Sequence, residues 1–384
     1  MTITELPTPT VGAPAPAGRA TALPALGAPD GAAQPGAEAS AMRVEAPRIP
    51  GELPTSLVDR FGRVHRDLRI SLTDRCSLRC TYCMPADGVP WLEKDSILTT
   101  DELVRVAAVA ASLGVTEARL TGGEPLLRRD VVEVVRQMVG LGLEVSLTTN
   151  GLALGKLAEP LRDAGLTRLN ISIDTLQRDR FAALTRRDRI DDVFAGIDAA
   201  LRVGFNPVKL NAVPMRGVND DEFVDLLRYA IDVGAHLRFI EQMPLDAGHT
   251  WDRVQMVTGQ EIHDQLAAVY RLTPFGERGS SPAELFAVDG GPATVGIIAS
   301  VTQPFCGACD RVRLTADGQI RNCLFAREES DLLPVLRGGS FEGEALDRRL
   351  AEILIHSIAG KRAGHGIDEP GFLQPQRPMS AIGG

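Results

Sequence analysis

Short runs of apolar, β-type residues alternate with longer amphipathic stretches through the middle of the chain. The runs at positions 68–72, 118–121, 143–148, 168–173, 208–213 and 237–241 predict six strands. Between them, stretches at 100–113, 130–139, 191–203 and 220–233 predict helices, with Thr100 or Asp101, Asp191 and Asp220 as N-caps. Strands that alternate with helices indicate a parallel sheet with right-handed crossovers. Six such units predict an α/β fold, an incomplete (β/α)6 TIM-like barrel whose functional face lies at the carboxyl ends of its strands.

The pattern differs at both ends of the chain. Residues 1–54 are rich in Ala, Pro and Gly, which predicts a disordered tail, because few large apolar side chains are there to offset ordering entropy. An organelle address is the alternative, but the segment has acidic residues and little basic amphipathic character. Residues 55–244 hold the predicted barrel. A β segment at 294–301, a hairpin at 312–321 around Asp317-Gly318 and a helix at 344–358 predict a smaller C-terminal domain over 245–384.

Composition narrows the function classes. The 384 residues are 44% hydrophobic and 24% charged, as in a globular protein with a sizeable core. The formal net charge of -9 argues against nucleic acid or an anionic membrane as a partner, so an anionic substrate must meet a local basic cluster. No apolar run is long enough to span a bilayer, and the N-terminus lacks the pattern of a secretory signal. We therefore expect a cytoplasmic protein.

The six cysteines fall into two tight triplets. Disulfide scaffolds usually belong to short secreted chains, so metal ligation in a reducing compartment is the better interpretation. The first triplet, Cys76, Cys80 and Cys83, follows the first predicted strand. Three thiolates suit a [4Fe–4S] cluster with one iron open to another ligand. The alternative is a structural zinc site completed by a distant fourth ligand, since no fourth Cys or His lies nearby in the sequence.

The residues around the first triplet resemble those of radical S-adenosylmethionine enzymes. The spacing C-x3-C-x2-C, with Tyr82 before the last cysteine, is followed by Gly122-Gly123-Glu124-Pro125 after the second strand. Ser172 ends the fourth strand and Met243 follows the sixth. The resemblance implies that the cysteines bind a [4Fe–4S] cluster and that S-adenosylmethionine contacts Tyr82, Gly123, Ser172 and Met243. It also implies that the bound cofactor releases a 5′-deoxyadenosyl radical.

The second triplet consists of Cys306, Cys309 and Cys323. A zinc ribbon would need a fourth ligand, and no histidine is close in sequence, so a second [4Fe–4S] cluster fits the count better. Between these cysteines, Arg311 and Arg313 point to the same side of an extended strand. Two guanidinium groups on one face suit a polyphosphate, although two solvated surface arginines are the alternative.

Other charged residues fall within the predicted strands. Arg69 and Arg119 belong to the first and second strands and Lys209 to the fifth, where a buried cation is costly unless it is paired or faces a charged ligand. The chain ends in Gly383-Gly384, a pair that either frays or threads into a narrow site.

Together, the two triplets, the arginine pair and the terminal glycines resemble the GTP 3′,8-cyclases of molybdenum cofactor biosynthesis, from about position 68 to 384. The resemblance implies a lyase with two [4Fe–4S] clusters and S-adenosylmethionine. It further implies that the adenosyl radical takes the ribose 3′ hydrogen of GTP and that the carbon radical attacks C8. The product is (8S)-3′,8-cyclo-7,8-dihydroguanosine 5′-triphosphate, which cyclic pyranopterin monophosphate synthase uses. A flavodoxin- or ferredoxin-type electron donor and a monomer or homodimer are also expected.

Residue roles follow from the same resemblance. It assigns GTP contacts to Arg69, Arg119, Thr148, Lys209, Arg311, Val312 and Arg313, and catalytic roles to Arg311, Arg313, Gly383 and Gly384. One departure is Gln242 before Met243, where an aromatic residue is more usual, and this puts the adenine contact in question.

Two alternatives remain from the sequence. A peptide-modifying radical enzyme with an auxiliary cluster would usually carry more cysteines and has no reason for a basic pair inside the triplet. A zinc-stabilised regulatory or nucleic-acid-binding protein conflicts with the acidic balance and the lack of a basic stripe.

Overall fold

The protein is described by a computed structural model that covers residues 46–383 and the backbone of Met42–Arg43. Thirteen strands lie in this part of the chain: β1 (Met42–Arg43), β2 (Asp67–Ser71), β3 (Glu117–Thr121), β4 (Glu144–Thr149), β5 (Arg168–Ser172), β6 (Val208–Ala212), β7 (His236–Ile240), β8 (Leu272–Pro274), β9 (Glu284–Val288), β10 (Thr294–Ile298), β11 (Arg311–Leu314), β12 (Gln319–Arg321) and β13 (Glu328–Asp331). Ten α-helices accompany them: α1 (Thr100–Ser112), α2 (Val131–Gly140), α3 (Leu154–Asp163), α4 (Arg178–Thr185), α5 (Ile190–Arg202), α6 (Phe223–Val233), α7 (Gly259–Ala267), α8 (Leu333–Arg337), α9 (Gly343–Ala359) and α10 (Met379–Ile382).

The predicted α/β architecture is confirmed. Strands β2 to β7 are neighbours in sequence order, and each pairs in parallel with the next. At least one helix lies between each two of these strands, as a parallel crossover requires. All six predicted barrel strands exist. Helices α3 and α4 were not predicted from the periodicity, although α3 is as long as the predicted helix α2.

Side chains alternate between the two faces of the barrel wall. One face is apolar and buried under the helices, as with Leu68 and Ile70 on β2 and Leu237 and Phe239 on β7. The opposite face carries polar and charged residues at the intervening positions, such as Arg69. Because alternation has a period of two, every strand of the barrel presents its polar residues to one shared interior.

Strands from the C-terminal third extend the sheet beyond both edges of the barrel. At one edge β11 pairs in parallel with β2, which places Arg313 opposite Arg69. At the other edge β10 pairs in parallel with β7, and β9 and β8 follow. The predicted hairpin is confirmed, since β11 and β12 are antiparallel around Asp317-Gly318. The segment that carries the second cysteine triplet therefore forms part of the same wall.

The predicted helix N-caps are wrong in detail. The N-cap of α1 is Thr99, whose side chain and that of Glu102 form a reciprocal capping box. Asp191 lies inside the first turn of α5, where a carboxylate is also favourable because of the helix dipole. Asp220 accepts a hydrogen bond from the Gly217 amide in the turn before α6, and the helix begins later.

The segment that precedes the barrel in the sequence packs along helix α9. Ala46 is buried, its carbonyl accepts a 2.7 Å hydrogen bond from Arg349, and the Ile49 amide donates to Glu352. Residues 46–54, which the sequence analysis assigns to the tail, thus contact the helix, and residues 1–41, 44 and 45 lie outside the described residues. No helix in the described part of the chain is both long and apolar enough to cross a membrane.

Candidate functional site

A cavity of about 290 Å³ opens at the carboxyl ends of the barrel strands. It is lined by residues from both ends of the sheet, including Phe305 and Leu324, the direct neighbours of the second triplet. The structure therefore brings both predicted centres to one space. Its lining includes these sequence-predicted residues: Arg69, Cys76, Cys80, Tyr82, Cys83, Arg119, Gly123, Thr148, Ser172, Met243, Arg311 and Arg313.

The first triad, Cys76, Cys80 and Cys83, lies in the loop that follows β2. All three thiols are free, and they are close enough to raise one another's pKa. Burial is the larger cause, and it raises the pKa of Cys83 to about 12. The amide of Leu78 and the side chain of Asn150 approach Cys76 Sγ at 3.4 and 3.9 Å. These donors stabilise the sulfur as an acceptor and orient it.

The paired glycines after β3 support that loop. The Gly123 amide donates to the Thr73 carbonyl at 2.7 Å, and the Glu124 amide donates to the Arg75 carbonyl at 2.7 Å. A Cβ on Gly123 would collide with the backbone carbonyls of Asp74 and Arg75. Glycine is required here because the two backbones touch, as in other close approaches of chain to chain.

Glu124 is a buried carboxylate that ties two strand ends together. Its oxygens accept from the Thr149 hydroxyl and the Asn150 amide at 2.7 Å each, and from the Leu126 amide at 3.0 Å. Burial raises the pKa of Glu124 to about 7, although these hydrogen bonds oppose the shift. The carboxylate fixes the strand ends that border the first triad.

Tyr82 is held by a second buried carboxylate. Its hydroxyl donates to Asp174 at 2.9 Å, and the Val213 amide donates to the other oxygen of Asp174 at 2.8 Å. Burial raises the pKa of Asp174 to about 6. Ser172 lies two residues earlier on the same strand end and lines the cavity. Sequence reasoning missed Asp174, although its spacing of two from Ser172 places both on one face.

The segment after β7 carries Gln242 and Met243, which both line the cavity. The Gln242 carbonyl accepts a hydrogen bond from the indole of Trp251 at 2.9 Å. Met243 packs against a small apolar cluster that contains Met256 and Val301. The backbone at the Gln242 position is thus fixed by a neighbouring loop rather than by its own side chain.

In the second triad, Cys306 and Cys309 lie between β10 and β11, Cys323 lies between β12 and β13, and the thiols are also free. The environment of Cys309 differs from that of the first triad. Although burial opposes the shift, Lys361 and Arg311 lower the pKa of the Cys309 thiol. The guanidinium of Arg63 donates to the Cys306 carbonyl at 2.6 Å.

A basic cluster lies beside the second triad. It consists of Arg69, Arg119, Arg311 and Arg313, and it surrounds the buried carboxylate of Asp67. Although burial opposes the shift, the four guanidinium groups hold the pKa of Asp67 below its usual range. Burial and neighbouring like charges lower the pKa values of Arg69 and Arg313 to about 9. The arginines remain cations at neutral pH, and one carboxylate does not balance them.

Several of these guanidinium groups have donors without partners. The Nε atoms of Arg119 and Arg313 are buried and have no hydrogen-bond partner among the described residues, and that of Arg311 has only the Asp67 carboxylate, 3.5 Å away and outside hydrogen-bond geometry. A buried polar group without a partner is costly, and a cationic donor more so. The predicted same-side placement of Arg311 and Arg313 is confirmed, since both line the cavity. The arrangement suits a polyanion that accepts these hydrogen bonds.

Three other predicted substrate residues lie in different settings. Thr148 lines the cavity from β4. Lys209 lies on β6 opposite Asn170, outside the cavity lining, and burial and nearby cations lower its pKa to about 7. The Val312 side chain packs in the apolar core, on the opposite side of β11 from its two arginine neighbours.

Arg238 on β7 was missed by sequence reasoning. It lines the cavity and its buried Nε atom has no partner among the described residues. Burial lowers its pKa to about 10, and Arg168 contributes to the shift. The same argument that singled out Arg69 and Arg119, an arginine inside a barrel strand, would have found it.

The C-terminal segment returns to the cavity. Met379 and Ser380 line it, and the Ser380 amide donates to the Cys83 sulfur. Gly383 is buried with a φ of 68°, and a Cβ there would meet the hydroxyls of Ser71 and Thr121. Gly383 therefore abuts the ends of β2 and β3. Gly384 lies outside the described residues.

Arg377 fixes this segment to the sheet. Its guanidinium donates to the two carboxylate oxygens of Asp317 at 3.1 and 2.8 Å and lies 2.7 Å from Glu329. These interactions raise the pKa of Arg377 even though burial opposes the shift. The pair of carboxylates holds the chain six residues before Gly383, close to β12 and β13.

The donor sets fit two iron–sulfur clusters. Each triad offers three thiols, which is the ligand set of a [4Fe–4S] cluster with one open iron. Among residues 46–383, no three His, Cys, Asp or Glu side chains are grouped to hold a single metal ion. Hydrogen-bond donors approach a sulfur of each triad, from the Ser380 amide at Cys83 and from Lys361 at Cys309. Such donors are typical of the surroundings of cluster ligands.

Residues 70–230 match the Radical SAM superfamily, and residues 235–367 match the family described as Molybdenum Cofactor Synthesis C. The chain is 55% identical over 333 residues to a GTP 3′,8-cyclase of Streptomyces coelicolor. The alignment covers 85% of this chain and 96% of that protein. The chain is 49% identical over 351 residues to a GTP 3′,8-cyclase of Paenarthrobacter nicotinovorans, with 87% of this chain and 99% of that protein covered.

Solved structures show the same fold at low identity. SuiB of Streptococcus suis aligns with a TM-score of 0.55 at 14% identity, over 79% of this chain and 70% of that chain. SuiB bound to its precursor peptide SuiA gives a TM-score of 0.53 at 15% identity, over 79% and 69%. At these identities the likeness concerns the fold alone.

Proposed function

The chain belongs to the GTP 3′,8-cyclase family of radical S-adenosylmethionine enzymes, and we propose that it joins ribose C3′ to purine C8 of GTP in the cavity between its two cysteine triads. The activity of this family is the first step of molybdenum cofactor biosynthesis. The observation that carries the proposal for the site is the set of unpartnered guanidinium donors that faces the same cavity as the first triad.

We assign the first triad to radical initiation. When bound, its [4Fe–4S] cluster and S-adenosylmethionine supply a 5′-deoxyadenosyl radical. Gly123, Ser172 and Met243 would contact S-adenosylmethionine, and their common position at strand ends around the cavity supports this role. Tyr82, fixed by Asp174, would contact it from the cysteine loop. The backbone contact between Gly123 and the cysteine loop keeps the two binding elements in register.

We assign the basic cluster to the triphosphate. Arg69, Arg119, Arg311 and Arg313 would donate to its oxygens, and the cost of burying these cations together supports a polyanionic ligand. Thr148 would add a contact from β4, and Lys209, which lies outside the cavity lining, would act on the triphosphate through its charge. Val312 would contribute through its backbone alone, because its side chain belongs to the core.

The second triad and the C-terminal segment would orient the nucleoside. A second [4Fe–4S] cluster on Cys306, Cys309 and Cys323 has an open iron that would bind the guanine. The position of Gly383 against the ends of β2 and β3 supports a role for the terminal glycines inside the cavity. The second triad and the terminal glycines would exclude side reactions because they would hold the ribose and the purine ring in one geometry.

The finer partners belong to the same proposal. We propose a flavodoxin- or ferredoxin-type electron donor, a cyclic pyranopterin monophosphate synthase that takes the product, a cytoplasmic location, and a monomer or homodimer. The assignment of all six cysteines to cluster ligation, rather than to disulfides, supports a reducing compartment.

The test of the site compares arginine variants under anaerobic conditions. Arg311→Ala and Arg313→Ala should each weaken GTP binding roughly ten- to hundredfold, because a hydrogen bond to a charged group contributes about 1.5–3 kcal/mol. Equilibrium dialysis with GTP measures the effect, and S-adenosylmethionine binding should be unchanged. Arg202→Ala, on an exposed arginine of α5, is the matched control. Normal GTP binding by both variants contradicts the polyphosphate role.

A further inference from the structure

Lys361 is a buried lysine in the loop that follows α9, with 3% of its surface exposed. Its Nζ lies 2.8 Å from the Arg311 carbonyl, 3.4 Å from Cys309 Sγ and 3.5 Å from His65 Nδ1. An ammonium group has three N–H donors and no acceptor. Each of the three contacts therefore uses one donor, and one of the three acceptors is a ligand sulfur of the second triad.

His65 lies behind Lys361 and is completely buried. Its Nε2 is 3.1 Å from Asp59, whose carboxylate also accepts from Arg63 Nε at 2.5 Å and from the Phe61 amide at 2.8 Å. A carboxylate accepts and an ammonium donates, so a neutral His65 must carry its proton on Nε2 and accept at Nδ1. Burial lowers the pKa of His65 to about 4, and the ring is therefore neutral at physiological pH.

This arrangement determines where the lysine's charge is directed. The Arg311 carbonyl and the neutral His65 ring satisfy hydrogen bonds of Lys361 and supply no formal counter-charge at direct contact. The nearest anion in contact with Lys361 is the Cys309 sulfur once it is a ligand thiolate. A buried ammonium is costly unless it is paired, so a lysine that only filled space here would be less favourable than an apolar residue.

We propose that Lys361 is a positioning residue for the second cluster: held by the Arg311 carbonyl and the Asp59–His65 pair, its ammonium donates to Cys309 Sγ and makes that cluster easier to reduce. An electron added to a cluster increases its negative charge, and a cation fixed beside a ligand sulfur stabilises the reduced form. Hydrogen bonds to the sulfurs and the local charge are two of the factors that set the potential of such clusters. The inference rests on the second [4Fe–4S] centre of the proposed function and not on the identity of the substrate.

The experiment replaces Lys361 by Met, which has a similar length and no charge. Both clusters are reconstituted anaerobically in the full chain, iron content is measured first, and a reductive titration is followed by electron paramagnetic resonance. A chain with Cys76→Ala, Cys80→Ala and Cys83→Ala carries the second cluster alone and assigns its signal. We expect the ratio of reduced to oxidised second cluster at a fixed potential to fall at least tenfold in Lys361→Met, a shift of about 59 mV for one electron.

Two controls separate this effect from general disturbance. The first cluster in the same sample should keep its potential, because Lys361 makes no contact with Cys76, Cys80 or Cys83. Lys156→Met, which changes an exposed lysine of α3, should leave both potentials unchanged. An unchanged second potential in a fully loaded Lys361→Met chain overturns the proposal.

A variant that loses the second cluster is still informative. If Lys361→Met holds about four iron instead of about eight, loading becomes the readout, and Lys361→Arg should restore it because arginine keeps a donor cation. Loss of the cluster from both variants, with the first cluster intact, overturns the proposal, since only the shape of lysine would then matter. If the unsubstituted chain itself binds about four iron, the assignment of the second cluster fails before this inference is tested.

Discussion

The two cysteine triads differ in the charged groups that lie beside them. Around the first triad, burial raises the pKa of every thiol, and the carboxylates of Glu124 and Asp174 add to the shift at Cys76 and Cys80. Beside the second triad, Lys361, Arg311 and Arg313 lower the pKa of Cys309 against the effect of burial, whereas burial raises the pKa of Cys306. One cavity thus has an acidic half at the first triad and a basic half at the second.

In the proposed function, the two halves of the cavity perform separate tasks. Negative surroundings disfavour an added electron, so a cluster in the acidic half is held at low potential, as a centre that donates its electron requires. Positive surroundings attract a polyanion. They also stabilise the reduced form of a second cluster and so raise its reduction potential. Reductive power and substrate binding are thereby assigned to opposite walls of one barrel.

Removal of each triad separately has the largest expected effect on the reaction. We expect Cys76→Ala, Cys80→Ala, Cys83→Ala to abolish 5′-deoxyadenosine formation completely and to leave about four of about eight iron. The corresponding triple variant of Cys306, Cys309 and Cys323 should also keep about four iron and form 5′-deoxyadenosine without any cyclised nucleotide. Iron analysis and mass spectrometry of the products measure both outcomes.

The same experiment also tests the independence of the two centres. Loss of all iron from either triple variant would mean that the six cysteines share one centre, and the comparison would fail. Two zinc ions and no iron in the unsubstituted chain would support the zinc-stabilised binding protein instead.

A second prediction concerns the tail that reaches between the two halves. Gly383→Ala adds a Cβ that meets the Ser71 and Thr121 hydroxyls, at a backbone φ of 68° and ψ of 120° that costs about 1–3 kcal/mol for other residues. We expect at least a tenfold fall in cyclised product with 5′-deoxyadenosine formation retained. Gly155→Ala, in an open position on α3, should have no effect. Equal loss of both products from Gly383→Ala would show that the tail serves the acidic half as well.

Arg377 anchors the C-terminal segment six residues before Gly383, and its replacement should loosen that segment. Arg377→Met removes the contacts to Asp317 and Glu329, and we expect cyclised product to fall roughly fivefold, as for an interaction of about 1 kcal/mol. Arg362→Met breaks an exposed pair with Glu369 and is the control. Proteolysis of the C-terminal segment, followed by mass spectrometry, should become faster only in Arg377→Met. If product is lost while proteolysis is unchanged, Arg377 does not act by anchoring the C-terminal segment.

Much of this arrangement follows from the sequence, and the remainder depends on tertiary contacts. The spacing of the cysteines predicted both triads, and the period of two along a strand predicted the common face of Arg311 and Arg313. Both signals are local properties of the chain. Lys361 and Arg377 were not found, since their partners lie far away in sequence and meet them only in the folded sheet. The N-cap at Thr99 was missed by one position, because Thr99, Thr100 and Asp101 are all good cap types and only the Glu102 contact selects one.

The charge of Lys209 should make GTP binding depend on pH, and this is the smallest of the expected effects. Burial and the neighbouring cations Arg238, Arg119 and Arg168 lower the pKa of Lys209 to about 7, so the free protein carries this charge below pH 7 and loses it above. Because the charged form attracts a polyanion, GTP affinity should fall several-fold between pH 7 and 8.5, and binding at pH 8 should take up a proton. Lys209→Met should flatten this dependence.

Calorimetry in two buffers of different ionisation enthalpy measures the proton uptake, and the variant serves as the reference because it retains the titration of GTP itself. The sign is fixed: a bound anion favours the protonated amine and raises its pKa, so uptake must occur on binding above pH 7. Proton release on binding, or the same proton uptake in Lys209→Met, would show that the charge of Lys209 does not contribute to GTP binding. The polyanion site would then depend on arginines alone, and the remaining pH dependence would come from the titration of GTP and, near pH 8.5, from Arg69 and Arg313, whose pKa values burial lowers to about 9.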